Sequence, residues 1–405
     1  MPRAIAFAPP PIDQDVVDAV TRVLHSGWIT TGPEVVAFER ELEEFTGGAA
    51  AVCGNSWTAM AELALRWYGV GPGDEVIVPA YTYCATANIV VHLGATPVMV
   101  DSAGAGFNTD WPTIQRAITP RTKVIIPVDF AGHPVDRRAL AEGLNAPETR
   151  SLFCPATPAQ EALGRPLWLA DAAHALGAEQ EGRRVGSWAD VAGFSFHAVK
   201  NLTTAEGGAL LLNLPGMDNR AVAAELKTLG LHGQNRDAAA KFKSGAWRYD
   251  VITPGYKCNL SDIHAAMGRV QLGKYDKHLA MRAALADRYD QQLANLHGAT
   301  LPERGEASSA RSADHLYPLR IPAEMADRRD ELIEHLRSKE IASNVHFQPL
   351  PLLSAYGQLG YKSEDYPRAM AAFSREISLP LHTQMSIEDV DRVAEEVYAF
   401  LQLKP

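Results

Sequence analysis

Phe194-Ser195-Phe196-His197-Ala198-Val199-Lys200-Asn201-Leu202-Thr203-Thr204-Ala205-Glu206-Gly207-Gly208 is the stretch on which the reading of the chain turns. Val191, Ala192, Phe194 and Phe196 read as a buried strand, and Gly207-Gly208 opens a second apolar run, Ala209 to Leu212. A short polar turn carrying one lysine lies between them. A lysine at the end of a buried strand is costly unless it is paired or used covalently. Desolvation there lowers its pKa and makes the amine a nucleophile able to form a Schiff base. Taken alone, a strand-end lysine is more often a solvated edge residue, and the functional reading of Lys200 needs an upstream partner.

Working outward, Leu167-Trp168-Leu169-Ala170-Asp171-Ala172-Ala173-His174 is an apolar strand that ends in one carboxylate. Asp171 by itself is compatible with a helix N-cap. A carboxylate at one strand end and a lysine at the next, about thirty residues on, is the stronger signal. Open α/β sheets present ligand-binding groups at such strand ends.

These two stretches, together with Ser26-Gly27-Trp28-Ile29-Thr30-Thr31-Gly32-Pro33 and Gly255-Tyr256-Lys257-Cys258-Asn259-Leu260-Ser261-Asp262, resemble the DegT/DnrJ/EryC1/StrS sugar aminotransferases over nearly the whole chain. The turn is most similar to the nucleotide-sugar 4-aminotransferase branch typified by the UDP-4-amino-4-deoxy-L-arabinose enzyme. The resemblance implies a fold-type I α/β architecture: a mostly parallel seven-stranded sheet between helices, and a smaller α+β C-terminal domain. The domain change is placed near Lys257 or Leu272, with residues 1–256 as the large domain and 257–405 as the small one. Pyridoxal 5'-phosphate is the implied cofactor, held by Lys200, with Asp171 at the ring nitrogen and His174 beside the ring.

Composition sets limits. The 405-residue chain is 46% hydrophobic and 21% charged, as a globular protein is. A net charge of −10 and the lack of a basic run argue against a nucleic-acid surface. No apolar run approaches the roughly twenty residues that span a bilayer, and Met1–Asp13 shows no signal-peptide core. Cys53, Cys84, Cys154 and Cys258 are scattered without CxxC spacing, so neither a disulfide framework nor a metal site is expected. A cytoplasmic setting fits.

Val16–His25 and Val35–Phe45 have helical periodicity, and from Ala49 strands alternate with helices, the pattern of a largely parallel sheet. The turn Gly54-Asn55-Ser56-Trp57-Thr58 joins a strand to a helix, where free backbone N–H groups make an anion site. In the resembled family this turn holds the cofactor phosphate, which points to Ser56, Trp57 and Thr58, joined by Ser195. An ordinary capped helix is the other reading of the turn. Tyr83 matches the family's ring-stacking aromatic. Asp129 stands where the family commonly has histidine, an expected change near the substrate. Residues 145 to 166 read as an insertion, and 232 to 248 as a polar loop whose Lys241, Lys243 and Arg248 could meet a diphosphate or be solvated.

Toward the C-terminus, one long helix is expected from Asp262 to about Leu296, then strands at His315–Ile321, Ala342–His346 and Glu376–Leu379 among helices. By resemblance, Lys257 and Asn259 reach a neighbouring subunit's cofactor phosphate, which makes a homodimer the expected unit. Trp28, Ile29, Thr30 and His346 are implied at the substrate. The expected activity is transfer of an amino group from glutamate or glutamine to a nucleotide-linked keto sugar. A cyclitol or aminoshikimate-type aminotransferase of antibiotic biosynthesis and a non-catalytic regulatory relative are the alternatives.

Overall fold

In the computed structural model, residues 3–104, 106–235, 249–304 and 310–402 are described. Five strands and the helices between them come first. They are β1 (Ala50–Gly54), β2 (Glu75–Pro79), β3 (Thr96–Val100), β4 (Thr122–Ile125) and β5 (Leu167–Asp171). Short β6 (Glu179–Gln180) and β7 (Arg183–Arg184) precede β8 (Val191–Ser195) and β9 (Gly208–Leu212). The seven long strands form one sheet in the order β1-β9-β8-β5-β4-β2-β3. Neighbours from β8 to β3 run parallel, and β9 lies antiparallel to both β1 and β8.

The near-continuous apolar character of β1, β2, β5 and β9 follows from helices covering both faces, since every residue of these strands is buried. Helices α1 (Gln14–Ser26) and α2 (Pro33–Thr46) start at punctuation visible in the sequence. Asp13 accepts the Val16 N–H at the head of α1, and Pro33 occupies the first turn of α2. Two large cores sandwich the sheet, one containing Trp57, Met60, Val78, Leu169 and Leu210, the other Phe38, Leu42, Trp168, Phe194 and Phe196. A third core is built from Ile5 and residues between Leu285 and Leu401. It lies around β11 (Tyr317–Arg320) and β12 (Glu376–Leu379), an antiparallel pair that follows the two-residue β10 (Ala310–Arg311).

Two expectations fail for stated reasons. The long helix is two helices, Asp262–Leu272 and Tyr275–Leu293. Lys274 takes a non-helical backbone (ψ 2°) while its amine reaches Asp13 and Asp15, so the apolar periodicity continues across a break. Residues 342–346 are not a strand: they make a single bridge, Asn344 to Ser378. The His346 N–H turns instead to the Glu376 carboxylate at 2.9 Å, which takes this segment out of the ladder.

The 145–166 segment folds as two short helices, Pro147–Leu152 and Pro158–Leu163. Thr157 and Gln160 donate to the Tyr68 carbonyl, and Phe153 and Leu163 enter the core. These contacts place the segment at the starting ends of β4 and β5, away from the end that carries Asp171. The basic residues expected over the site, Lys241, Lys243 and Arg248, lie outside the described residues. Among the described residues no helix is long and apolar enough to cross a membrane.

Candidate active site

The finishing ends of β5 and β8 and the starts of α3 (Trp57–Tyr68) and α4 (Ala85–His92) surround a cavity of about 350 Å³. Lys200, Asp171, His174, Ser195, Ser56, Trp57, Thr58, Tyr83 and His346 all line it. The geometry begins with small residues. A Cβ on Gly208 would meet the Trp57 backbone nitrogen at 2.3 Å, so this glycine lets the start of α3 sit directly against β9. Ser56 caps α3, accepting the Ala59 N–H at 3.1 Å, and its hydroxyl makes a long contact of 3.5 Å to the Asn55 side-chain oxygen. Ser56, Thr58 and Ser195 line the cavity beside the start of α3, where a helix offers N–H groups that could cradle an anion.

Asp171 is 6% exposed. Its Oδ2 accepts the Thr86 hydroxyl at 2.8 Å, its Oδ1 accepts the Ala173 N–H at 3.3 Å, and Thr86 in turn contacts the Thr82 hydroxyl at 3.0 Å. Burial raises the carboxyl to about 6, against the opposing pull of these donors and of Lys200. Burial also lowers the Lys200 amine to about 8, opposed by Asp171. The amine makes no hydrogen bond or ion pair among the described residues. An amine in a cavity with no partner, facing a buried acid that resists ionisation, fits a ligand that carries an electrophile at one end and a basic ring nitrogen at the other. Pyridoxal phosphate is such a group, and N–H groups at a helix start suit its phosphate.

His174 is held by the Ala131 N–H, which donates to Nδ1 at 3.3 Å and so leaves Nε2 to carry the proton in the neutral ring. Burial drives its pKa well down. Its ring packs 4.3 Å from that of His315, whose Nδ1 meets the Asn201 side-chain oxygen at 2.9 Å. His346 Nδ1 lies 2.9 Å from Ser378 Oγ, and the Ser378 hydroxyl donates to Glu376 Oε1 at 2.5 Å. Burial lowers His346 to about 4 and raises Glu376 to about 8. Phe347 closes the mouth between Tyr83 and His174.

Sequence reasoning missed Thr86, His315, Phe347 and the Glu376–Ser378 pair. Only Thr82 and Thr86, four apart and polar in an apolar helical run, offered a signal.

The other expected residues lie outside this cavity within the chain. Lys257 Nζ donates to Asn259 Oδ1, and Asn259 Nδ2 donates to Thr31 Oγ1 at 2.7 Å. Trp28 is half-buried and its indole N–H donates to the Thr31 carbonyl at 3.1 Å, while Ile29 and Thr30 are exposed. The 26–33 and 255–262 stretches are thus packed on each other, tied by Asp262 Oδ1 accepting the Gly32 N–H at 2.8 Å. Asp129 does not reach the cavity: it is fully buried in an ion pair with Arg137, which corrects the expectation of a change near the substrate. None of residues 145–166 lines the cavity, so the insertion has no part in its shape.

The model of the DegT/DnrJ/EryC1/StrS aminotransferase family matches residues 10–145 and 164–398, and the unmatched gap falls on the two short helices. The spore coat polysaccharide biosynthesis protein SpsC of Bacillus subtilis (strain 168) is 38% identical over 397 residues, 97% of this chain and 96% of that protein. A provisionally named sugar aminotransferase, Spr1654 of Streptococcus pneumoniae, superposes in its PMP form with a TM-score of 0.94 at 44% identity, covering 98% of this chain and 99% of that one. Its PLP form gives 0.91 at 43% identity, over 98% and 100%. Helicobacter pylori PseC, an aminotransferase involved in the biosynthesis of pseudoaminic acid, gives 0.85 at 28% identity, over 99% and 100%. With Lys200 and Asp171 lining one cavity of a fold shared with PLP- and PMP-form structures, the chain belongs to the DegT/DnrJ/EryC1/StrS aminotransferase family and is a pyridoxal-phosphate-dependent aminotransferase.

Proposed function

We propose that the enzyme transfers an amino group from L-glutamate to the keto group of a nucleotide-linked keto sugar. The observation that carries the chemistry is the unpartnered Lys200 amine in the same cavity as the buried Asp171 carboxylate. The sugar assignment is supported by the relatives: PseC acts in pseudoaminic acid biosynthesis and SpsC in spore coat polysaccharide biosynthesis. When bound, pyridoxal phosphate supplies an aldehyde and an electron-accepting ring.

The chain's own residues then divide the work. Asp171, held by Thr86 and the Ala173 N–H, keeps a proton on the ring nitrogen, and that positive charge in turn favours its ionised form. Lys200, its pKa lowered by burial, is neutral often enough near neutral pH to accept the proton from the donor's Cα and to return it. Ser56, Thr58, Ser195 and the start of α3 hold the phosphate. His174 and Tyr83 flank the ring, and His346 reaches the sugar.

Lys257 and Asn259, with Trp28, Ile29 and Thr30, serve the site of a second subunit, so the working unit is a homodimer in the cytoplasm. The division into domains at 256/257 belongs to the same reading: apart from Ile5, the third core draws on residues past it, from Leu285 on, while Leu260 to Leu279 still pack against the sheet.

Lys200→Ala should remove the visible absorbance of the lysine-bound cofactor and abolish turnover of 4-keto-6-deoxy sugar nucleotides with glutamate. Retained turnover in that variant overturns the catalytic assignment. Amination by the wild type of scyllo-inosose alone overturns the sugar-nucleotide assignment and leaves the catalytic one standing.

A further inference from the structure

A second cavity, of about 330 Å³, has Phe130 and Ala131 in its lining, two residues that touch His174 of the Lys200 cavity. Its lining comes from the loop after β3, from residues 130–136, from residues 302–303 and from β11. Three side-chain atoms in it are buried without a hydrogen-bond partner: Thr109 Oγ1, His133 Nδ1 and Arg320 Nε. Thr109 is 4% exposed and Arg320 6%. Buried polar atoms are nearly always paired, and three orphans on residues around one space call for an explanation.

Arg320 is the sharpest case. It forms no ion pair or side-chain hydrogen bond among the described residues. Its ladder partner on β12 is Glu376, the carboxylate that strand geometry offers as a counter-charge. Glu376 is committed elsewhere, with one oxygen accepting from Ser378 and the other from the His346 N–H. The guanidinium instead lies 5.1 Å over the Phe107 ring, which orients it without neutralising it. A buried cation with no anion is costly, and a guanidinium is shaped to take a carboxylate on two parallel N–H groups.

The opposite charge is also present. Glu303 lines the same cavity at its exposed rim, likewise without an ion pair among the described residues, and its charge is felt at Arg320. The other two acids there, Asp110 and Asp136, each cap a helix through one oxygen. An unpaired cation inside and an unpaired anion outside suit a molecule that bears both charges, whereas a plain anion would meet repulsion at the rim.

We propose that this cavity is a second binding site, for a small zwitterion whose carboxylate meets Arg320 and whose ammonium group meets Glu303, with Thr109 and His133 completing the hydrogen bonds. The site is separate from Lys200 and does not depend on which sugar the enzyme aminates. It shares with the active site the segment whose Ala131 N–H holds His174.

β-Alanine is the probe, with acetate and ethylamine as single-charge controls, each titrated into the holoenzyme while its melting temperature is followed. β-Alanine should stabilise saturably, acetate should bind at least about tenfold more weakly, and ethylamine should not saturate. The cofactor's visible absorbance should stay unchanged, and soaked crystals should show the probe beside Arg320. Arg320→Gln should abolish saturation, and Glu303→Gln should bring β-alanine down to the acetate level. An identical response of wild type and Arg320→Gln overturns the proposal, as does probe density only beside Lys200. Should Arg320→Gln fail to fold, Thr109→Val, which keeps the shape and removes the hydroxyl, decides with the soaked crystal: unchanged affinity together with an empty cavity also overturns it.

Discussion

Thr86 donates its hydroxyl to Asp171 Oδ2 at 2.8 Å, and this is the side-chain hydrogen bond that favours the charged form of a carboxylate otherwise pushed up by burial. A hydrogen bond to a charged group contributes about 1.5–3 kcal/mol. Thr86→Val keeps the shape and removes that donor. The acidic limb of the turnover–pH profile should then move up by about one pH unit, with turnover at neutral pH lower by roughly twofold. A profile that superposes on the wild type would show that Thr86 does not bear on Asp171.

Glu376 has its folded pKa raised to about 8 from an ordinary value of 4.5, because it is fully buried. Between those two values the native state holds a proton that the unfolded chain has released. Stability therefore falls as pH rises through this window, by up to about 1.4 kcal/mol per pH unit. Glu376→Gln removes the titration. Denaturation midpoints of wild type and variant, compared from pH 5 to 8, should draw apart as pH rises, the wild type losing stability that the variant keeps. Parallel curves would contradict the protonated state.

Asp129 and Arg137 form a fully buried ion pair, and Arg137 Nε and Nη1 have no other partner. Removing one member leaves an uncompensated charge. Asp129→Ala should cost about 3–5 kcal/mol in chemical denaturation, whereas Asp129→Leu with Arg137→Met should recover most of that loss. Equal losses in the single and double variants would argue that packing, not charge, is at stake.

Shared sites have a mixing signature. If Lys257 serves the partner's cofactor phosphate, Lys200→Ala and Lys257→Ala subunits, each nearly inactive alone, should regain activity on exchange. A mixed dimer then holds one site free of both changes, giving about a quarter of wild-type activity at equal mixing. No recovery after confirmed exchange would place Lys257 in its own chain's site or in none.

The strands were the most legible part of the chain. Glu75–Pro79 and Glu376–Leu379 lie where alternation of apolar runs and turns puts them, because burial on both faces writes itself into composition. Lys200, Asp171 and Ser195 were legible because each ends or follows a strand. Contacts across long separations were not: Thr86 meets Asp171 over 85 positions, and His346 meets Ser378 through a peptide that leaves its ladder. The break at Lys274 was hidden in the same way. Gly273 continues the helical backbone, and the residue after it departs with its amine held by two acids from the N-terminal segment, partners that lie 261 and 259 positions away.

The two short helices at 147–163 sit at the far pole of the sheet from the cavity mouth, and Cys154 between them is the exposed cysteine of the four. That position offers a natural handle: a dye, a resin or a second enzyme tethered through this thiol would leave substrate entry unobstructed.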